Sequence, residues 1–162
     1  MQNIQTRELT KMAMLIALTT VMTMVVRIPT PGTNGYLNLG DMVVFISALT
    51  LGKKGGFIVG GLGSSLADLL LGYSHYAPIT LIVKGLEGYI AGSLLETKWG
   101  SKTKLIPLII GGVFMAVGYY IPETFMYGNK AALVGLPANI MQGLLGAVSA
   151  ILLFKGMEKA RS

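Results

Sequence analysis

The sequence has no cysteine and a single histidine among its 162 residues. Disulfides, thiolate metal sites and a cysteine nucleophile are therefore excluded, and one histidine leaves no histidine-based zinc set. Charge is also scarce. Asp, Glu, Lys and Arg make up 12% of the chain, about half of the roughly 25% usual in soluble domains. That is too little to coat a globule in which 52% of residues are hydrophobic. Several catalytic signatures are missing as well: there is no GxxxxGK[ST] loop, HExxH, GxSxG or calcium-loop pattern. The nearest approach to a phosphate loop, WGSKTK (99–104), lacks the required glycine spacing. With no nucleophile beside a base, neither an enzyme nor a bound cofactor is expected. The alternating pattern of a membrane β-barrel is absent too.

What the chain does have is long apolar runs, with a mean hydropathy of +0.65. Six runs lie between breaks of Pro, Gly and charge: Leu9–Val26, Leu37–Leu51, Gly56–Leu71, Pro78–Leu95, Leu105–Ile121 and Ala132–Phe154. A spanning helix needs about 20 residues, which most of these runs reach or approach; the second falls short. The expectation is an all-α integral membrane protein, one six-helix domain over residues 1–162. The first run lacks a small-residue cleavage site and reads as a retained helix.

Cations set the orientation. With six spans, Arg7, Lys11, Lys53, Lys54, Lys98, Lys102, Lys104, Lys155, Lys159 and Arg161 fall on one side, and Arg27 and Lys130 on the other. Both termini are therefore expected in the cytoplasm, in the cell membrane. This distribution also accounts for the net charge of +6 without a nucleic-acid partner.

The polar residues inside the runs collect at one depth. At 1.5 Å per residue, Lys84 lies about 9 Å and Glu87 about 13 Å inside the outer end of the fourth run, and Asp68 about 6 Å below the end of the third. Asn139 and Gln142 occupy the outer part of the sixth run, while Glu123 follows the fifth. Intramembrane charges face the interior and pair. Asp68 and Lys84 are the expected pair, and Lys84 and Glu87 share a helix face. Asp41 either caps the second helix or joins the cluster. Two readings stand: an ion network that fixes helix packing, or the wall of an outward-open pocket. The tyrosines of the outer segments, among them Tyr73, Tyr76, Tyr119, Tyr120 and Tyr127, either form an interface belt or stack on a ligand. The first outer loop, with Asn34 and Asn38, could close over a ligand. Ala13 and Ala17 form an AxxxA stripe on the first helix, suited to internal packing or to docking another membrane subunit; the rest of that helix reads as apolar.

Four stretches carry a family resemblance: the AxxxA stripe, YLNLGD (36–41), GGFIVGGLGSSLADLLLGY (55–73) and APITLIVKGLEGYIAG (77–92). The chain resembles the S component of an energy-coupling factor (ECF) vitamin transporter over nearly its whole length. The resemblance implies capture of a water-soluble vitamin or precursor from outside. It implies docking through Ala13 and Ala17 onto a membrane-embedded coupling (T) subunit, and power from two cytoplasmic ABC ATPases. The expected contact residues are Asn38, Asp68, His75, Tyr76, Lys84, Glu87, Tyr120, Glu123, Asn139 and Gln142. The subgroup is similar to members for hydroxymethylpyrimidine or pyridoxine-type cargo. Riboflavin, thiamine or another vitamin is the alternative, followed by a stand-alone small-metabolite carrier.

Overall fold

The computed structural model describes residues 2–30 and 32–160. Arg161, one of the cations counted above, lies outside the described residues. The elements run α1 (Gln2–Val25), β1 (Ile28–Pro29), β2 (Tyr36–Leu37), α2 (Gly40–Leu70), α3 (Ala77–Leu95), α4 (Leu105–Tyr127) and α5 (Asn129–Lys159). Each of the five helices has a stretch long and apolar enough to cross a membrane.

Six separate helices were expected, and the difference lies in α2. The runs on either side of GKK (52–54) form one 31-residue element whose backbone leaves helical geometry only at Gly52 (φ 70°, ψ −169°). A side chain is disfavoured at that φ, so glycine permits the break. The break reverses the chain. A Cβ built on Gly56 would lie 3.2 Å from Ala48 Cβ, and one on Gly60 would lie 2.9 Å from Val44 Cγ1. In a straight helix residues 44 and 60 would be about 24 Å apart. Thus α2 is an antiparallel pair of limbs, 40–51 and 53–70, folded at Gly52.

Small residues let the helices approach closely where no side chain intervenes. A Cβ on Gly56 would meet the Gly88 carbonyl oxygen at 2.5 Å, joining the second limb to α3. One on Gly112 would lie 2.8 Å from Gly143 Cα, joining α4 to α5. Because the obstacle at Gly56 is backbone, Gly56→Ala is expected to cost about 1–3 kcal/mol, as overpacking does. Gly156→Ala, with nothing within 4 Å, should leave stability unchanged. Thermal unfolding of both variants in detergent checks this, and equal midpoints would refute the crossing.

These reversals sort the bundle into two ends. One end holds β1 and β2, a small antiparallel hairpin pairing Ile28 with Leu37 and Pro29 with Tyr36. The other holds the termini, the Gly52 bend and the 96–104 link. The nine described cations assigned above to the more basic side fall at the terminal end; Arg27 and Lys130 fall at the hairpin end. Between the ends, Phe45, Ala48, Ala91, Leu108, Ala147 and Ala150 form a buried apolar core.

Helices α1, α4 and α5 outrun their expected bounds by several residues. Pro122 sits inside α4 rather than ending it, so Glu123 lies on a helix and is buried, not on an outer loop. A proline there forfeits a single hydrogen bond, that to the Gly118 carbonyl. α5 likewise contains Pro137.

Candidate functional site

At the hairpin end the helices converge on a small cavity with a largely polar lining. Its base is a buried ion network. Lys84 Nζ pairs with Asp41 Oδ1 and, at 3.0 Å, with Glu87 Oε2. All three side chains are no more than 2% exposed. Gln142 Nε2 donates to Asp41 Oδ1 at 3.0 Å and Oδ2 at 3.1 Å. Gln142 Oε1 accepts from the Asn38 backbone N–H at 2.8 Å. A continuous polar chain thus runs from the segment after β2, through α5 and the first limb of α2, to α3.

Two expectations are corrected here. The partner of Lys84 is Asp41, not Asp68. Depth placed Asp68 and Lys84 level, but helix rotation aims the ammonium at the first limb. Nor does Asp41 cap α2: the helix begins at Gly40 with no side-chain cap, and Asp41 points inward to Lys84 and Gln142.

Asp68 belongs to the wall instead. Its Oδ1 accepts the Tyr36 hydroxyl at 2.6 Å. Tyr119 donates to Thr80 Oγ1 at 3.0 Å. On the opposite wall Tyr76 donates to Glu123 Oε1 at 3.0 Å. Burial, reinforced by hydrogen bonding to Asp68, pushes the Tyr36 hydroxyl's pKa up. Burial, with hydrogen bonding to Tyr127 and the charge of Glu123, does the same to Tyr76. Both phenols stay protonated and act as donors. Tyr36 also packs on Tyr73 with ring centroids 5.2 Å apart, which ties the hairpin to the end of α2.

Of the expected contact residues, Asn38, Asp68, Tyr76, Lys84, Glu123, Asn139 and Gln142 line the cavity. Three do not. Glu87 lies beneath it and holds Lys84. His75 is outside, its ring tilted against that of Tyr76 with centroids 4.9 Å apart. The Tyr120 hydroxyl turns away to Asn129 Oδ1, at 2.6 Å. Among the lining residues that sequence reasoning did not single out are Thr23, Tyr36, Ser64 and Thr80. Thr23 has a legible signal: Thr19, Thr20 and Thr23 share one helix face, and all are buried, in a helix that had read as apolar. Thr20 Oγ1 donates to the Gly63 carbonyl at 2.9 Å.

Three lining atoms are buried without a hydrogen-bond partner: Thr23 Oγ1, Ser64 Oγ and Glu123 Oε2. Buried polar groups are nearly always paired. Three exceptions around one cavity mark it as a place built to hold a polar molecule. Among the described residues no group of three or more His, Cys, Asp or Glu could hold a metal.

The profile of the family described as "ECF-type riboflavin transporter, S component" matches residues 3–159. The chain belongs to this family of ECF S components. The S component is 34% identical over 160 residues to the thiamine precursor transporter HmpT of Lactococcus lactis subsp. cremoris (strain MG1363), covering 98% of this chain and 92% of that protein. It is 38% identical over 129 residues to a Pyrococcus woesei protein described as an uncharacterised protein in a gap 3′ region, covering 80% and 86% respectively. Its fold matches the structure titled "Structure and mechanism of the S component of a bacterial ECF transporter", with TM-score 0.76, 24% identity, and 98% and 99% of the two chains covered. It also matches an S component for biotin, with TM-score 0.65, 20% identity, and coverage of 96% and 94%. The chain is thus a multi-pass membrane protein and the substrate-binding subunit of an ECF-type vitamin transporter, as the sequence resemblance implied.

Proposed function

We propose that this S component captures a thiamine precursor of the hydroxymethylpyrimidine type at the hairpin-end cavity. The observation that carries the reading is the set of unpaired buried atoms, above all Glu123 Oε2, together with the nearby Asp68 carboxylate. Acceptors of this kind call for a ligand that donates hydrogen bonds. A planar aminopyrimidine with a hydroxymethyl arm offers an NH₂ and an O–H, and its ring suits the faces of Tyr36, Tyr76 and Tyr119. Pockets of this sort fix orientation with a few placed polar groups on an otherwise apolar lining. The 34% identical relative, named as a thiamine precursor transporter, supports the same cargo.

The proposal includes topology and partners. The five helices, with α2 folded at Gly52, give six membrane-crossing limbs. Both termini are cytoplasmic, because the terminal end carries the excess of Lys and Arg. The cavity then faces outward. Ala13 and Ala17, both exposed on α1, dock onto the membrane-embedded coupling subunit, and two cytoplasmic ATPases drive release inward.

Titration of the purified chain with hydroxymethylpyrimidine, thiamine, pyridoxine, riboflavin and biotin tests the cargo. The first is expected to bind tightest. Glu123→Gln should weaken it roughly 10–100-fold, the range for losing a hydrogen bond to a charged group. Tighter binding of riboflavin or biotin, or an unchanged Glu123→Gln affinity, would overturn the assignment. ATP-independent uptake by this chain alone in liposomes would overturn the division of labour.

A further inference from the structure

A second groove lies at the opposite end of the molecule, where α4 begins and α5 ends. It is lined by Lys102, Lys104 and Lys155 at one extremity and by Ile106, Ile151 and Phe154 along its length. Lys104 Nζ stands 3.2 Å from Glu158 Oε1 and 4.5 Å from the Phe154 ring centroid. Glu158 is the one carboxylate among the lining residues. Among the described residues, neither Lys102 nor Lys155 forms an ion pair. Three ammonium groups therefore meet a single carboxylate.

The two chemistries are ordered along the bundle axis. Ile106 follows Lys102 by four residues, and Ile151 precedes Lys155 by four. On both sides of the groove the apolar residue lies deeper in the bundle than its lysine: Lys102 is in the link before α4, and Lys155 is in the last turns of α5. A free anion would use the lysines and leave the apolar wall idle. A zwitterionic lipid would cover the wall but leave the excess positive charge uncompensated. An amphiphile with a negative head matches both parts. Basic pockets between membrane helices are known to hold anionic head groups in this way.

We infer that this groove binds an anionic glycerophospholipid, its phosphate among Lys102, Lys104 and Lys155 and an acyl chain along Ile106, Ile151 and Phe154. The inference needs the protein to lie in a bilayer but not the cargo assignment. Failure of the vitamin titration would leave it standing.

The test uses the full chain in nanodiscs of equal parts phosphatidylglycerol and phosphatidylcholine, released into native mass spectrometry. Phosphatidylglycerol is expected to be retained preferentially. The double substitution Lys102→Gln/Lys155→Gln should cut that preference at least about tenfold, since each cation near an anionic surface contributes measurably. Lys98→Gln/Lys130→Gln, which removes equal charge outside the groove, should leave it intact, and all variants should still bind cargo. Equal loss in both double variants would reduce the effect to diffuse attraction and overturn the site. So would displacement of the lipid by inorganic phosphate alone. Loss of coupling-subunit co-purification with unchanged lipid retention would make the groove a protein contact and likewise sink the assignment.

Discussion

Lys84→Met is expected to destabilise the S component more than any other single change at the site. The substitution keeps a long apolar stem but deletes the ammonium that Asp41 and Glu87 share. Both carboxylates are buried, and among the described residues no other cation is paired with either. Breaking a buried ion pair from one side typically costs about 3–5 kcal/mol, because the remaining charge stays desolvated. Replacing the whole set is far milder, since no charge is then left unpaired. The triple variant Lys84→Met/Asp41→Asn/Glu87→Gln should therefore recover much of the loss. Thermal unfolding in detergent provides the comparison. A single variant as stable as the parent would mean that the network contributes nothing to the fold. A triple variant no better than the single would mean that Lys84 matters through its stem and not its charge.

The second large effect is on uptake. Ala13 and Ala17 are exposed, whereas Thr19, Thr20 and Thr23 turn toward α2 and bury. Ala17 borders a wide apolar groove shared with Met14, Leu18, Ile46, Leu49 and Phe154. Ala13→Leu/Ala17→Leu puts bulk where the lone subunit has nothing to clash with, so cargo affinity should stay within about twofold. Close helix approach to a partner needs small residues. Uptake in cells that co-express the coupling subunits should fall by at least about tenfold. Retained uptake would remove these residues from the docking surface, and loss of affinity as well would show that they support the lone subunit's fold.

Much of this was legible in the sequence. The apolar runs located every helix, and depth counting gathered Asp68, Lys84, Gln142 and Asn139 at one end, where they are found. Depth does not report rotation about the helix axis, however. Asp68 and Asp41 were both near the level of Lys84, and only their azimuths, set by packing of the two α2 limbs, decide which one it meets. Glu123 was misplaced because Pro122 looked like a stop. In a long apolar helix a proline removes one bond and the rest of the ladder holds it in place. Thr23 escaped notice because a single hydroxyl barely alters hydropathy, although a polar face at three- and four-residue spacing was there to count. The fold at Gly52 needed a φ that no composition reveals, although GKK did mark where the apolar runs part.

That fold leaves one limb dependent on its neighbours. The first limb of α2 has 12 residues, 40–51, and at 1.5 Å each spans about 18 Å. The hydrocarbon core is about 30 Å thick, so this limb is too short to cross it alone. Val43, Val44, Phe45, Ser47 and Ala48 are buried, so packed helices rather than lipid cover most of its length. The limb that carries Asp41 to Lys84 is thus shielded from hydrocarbon by the longer helices around it, and its short reach costs the bundle little.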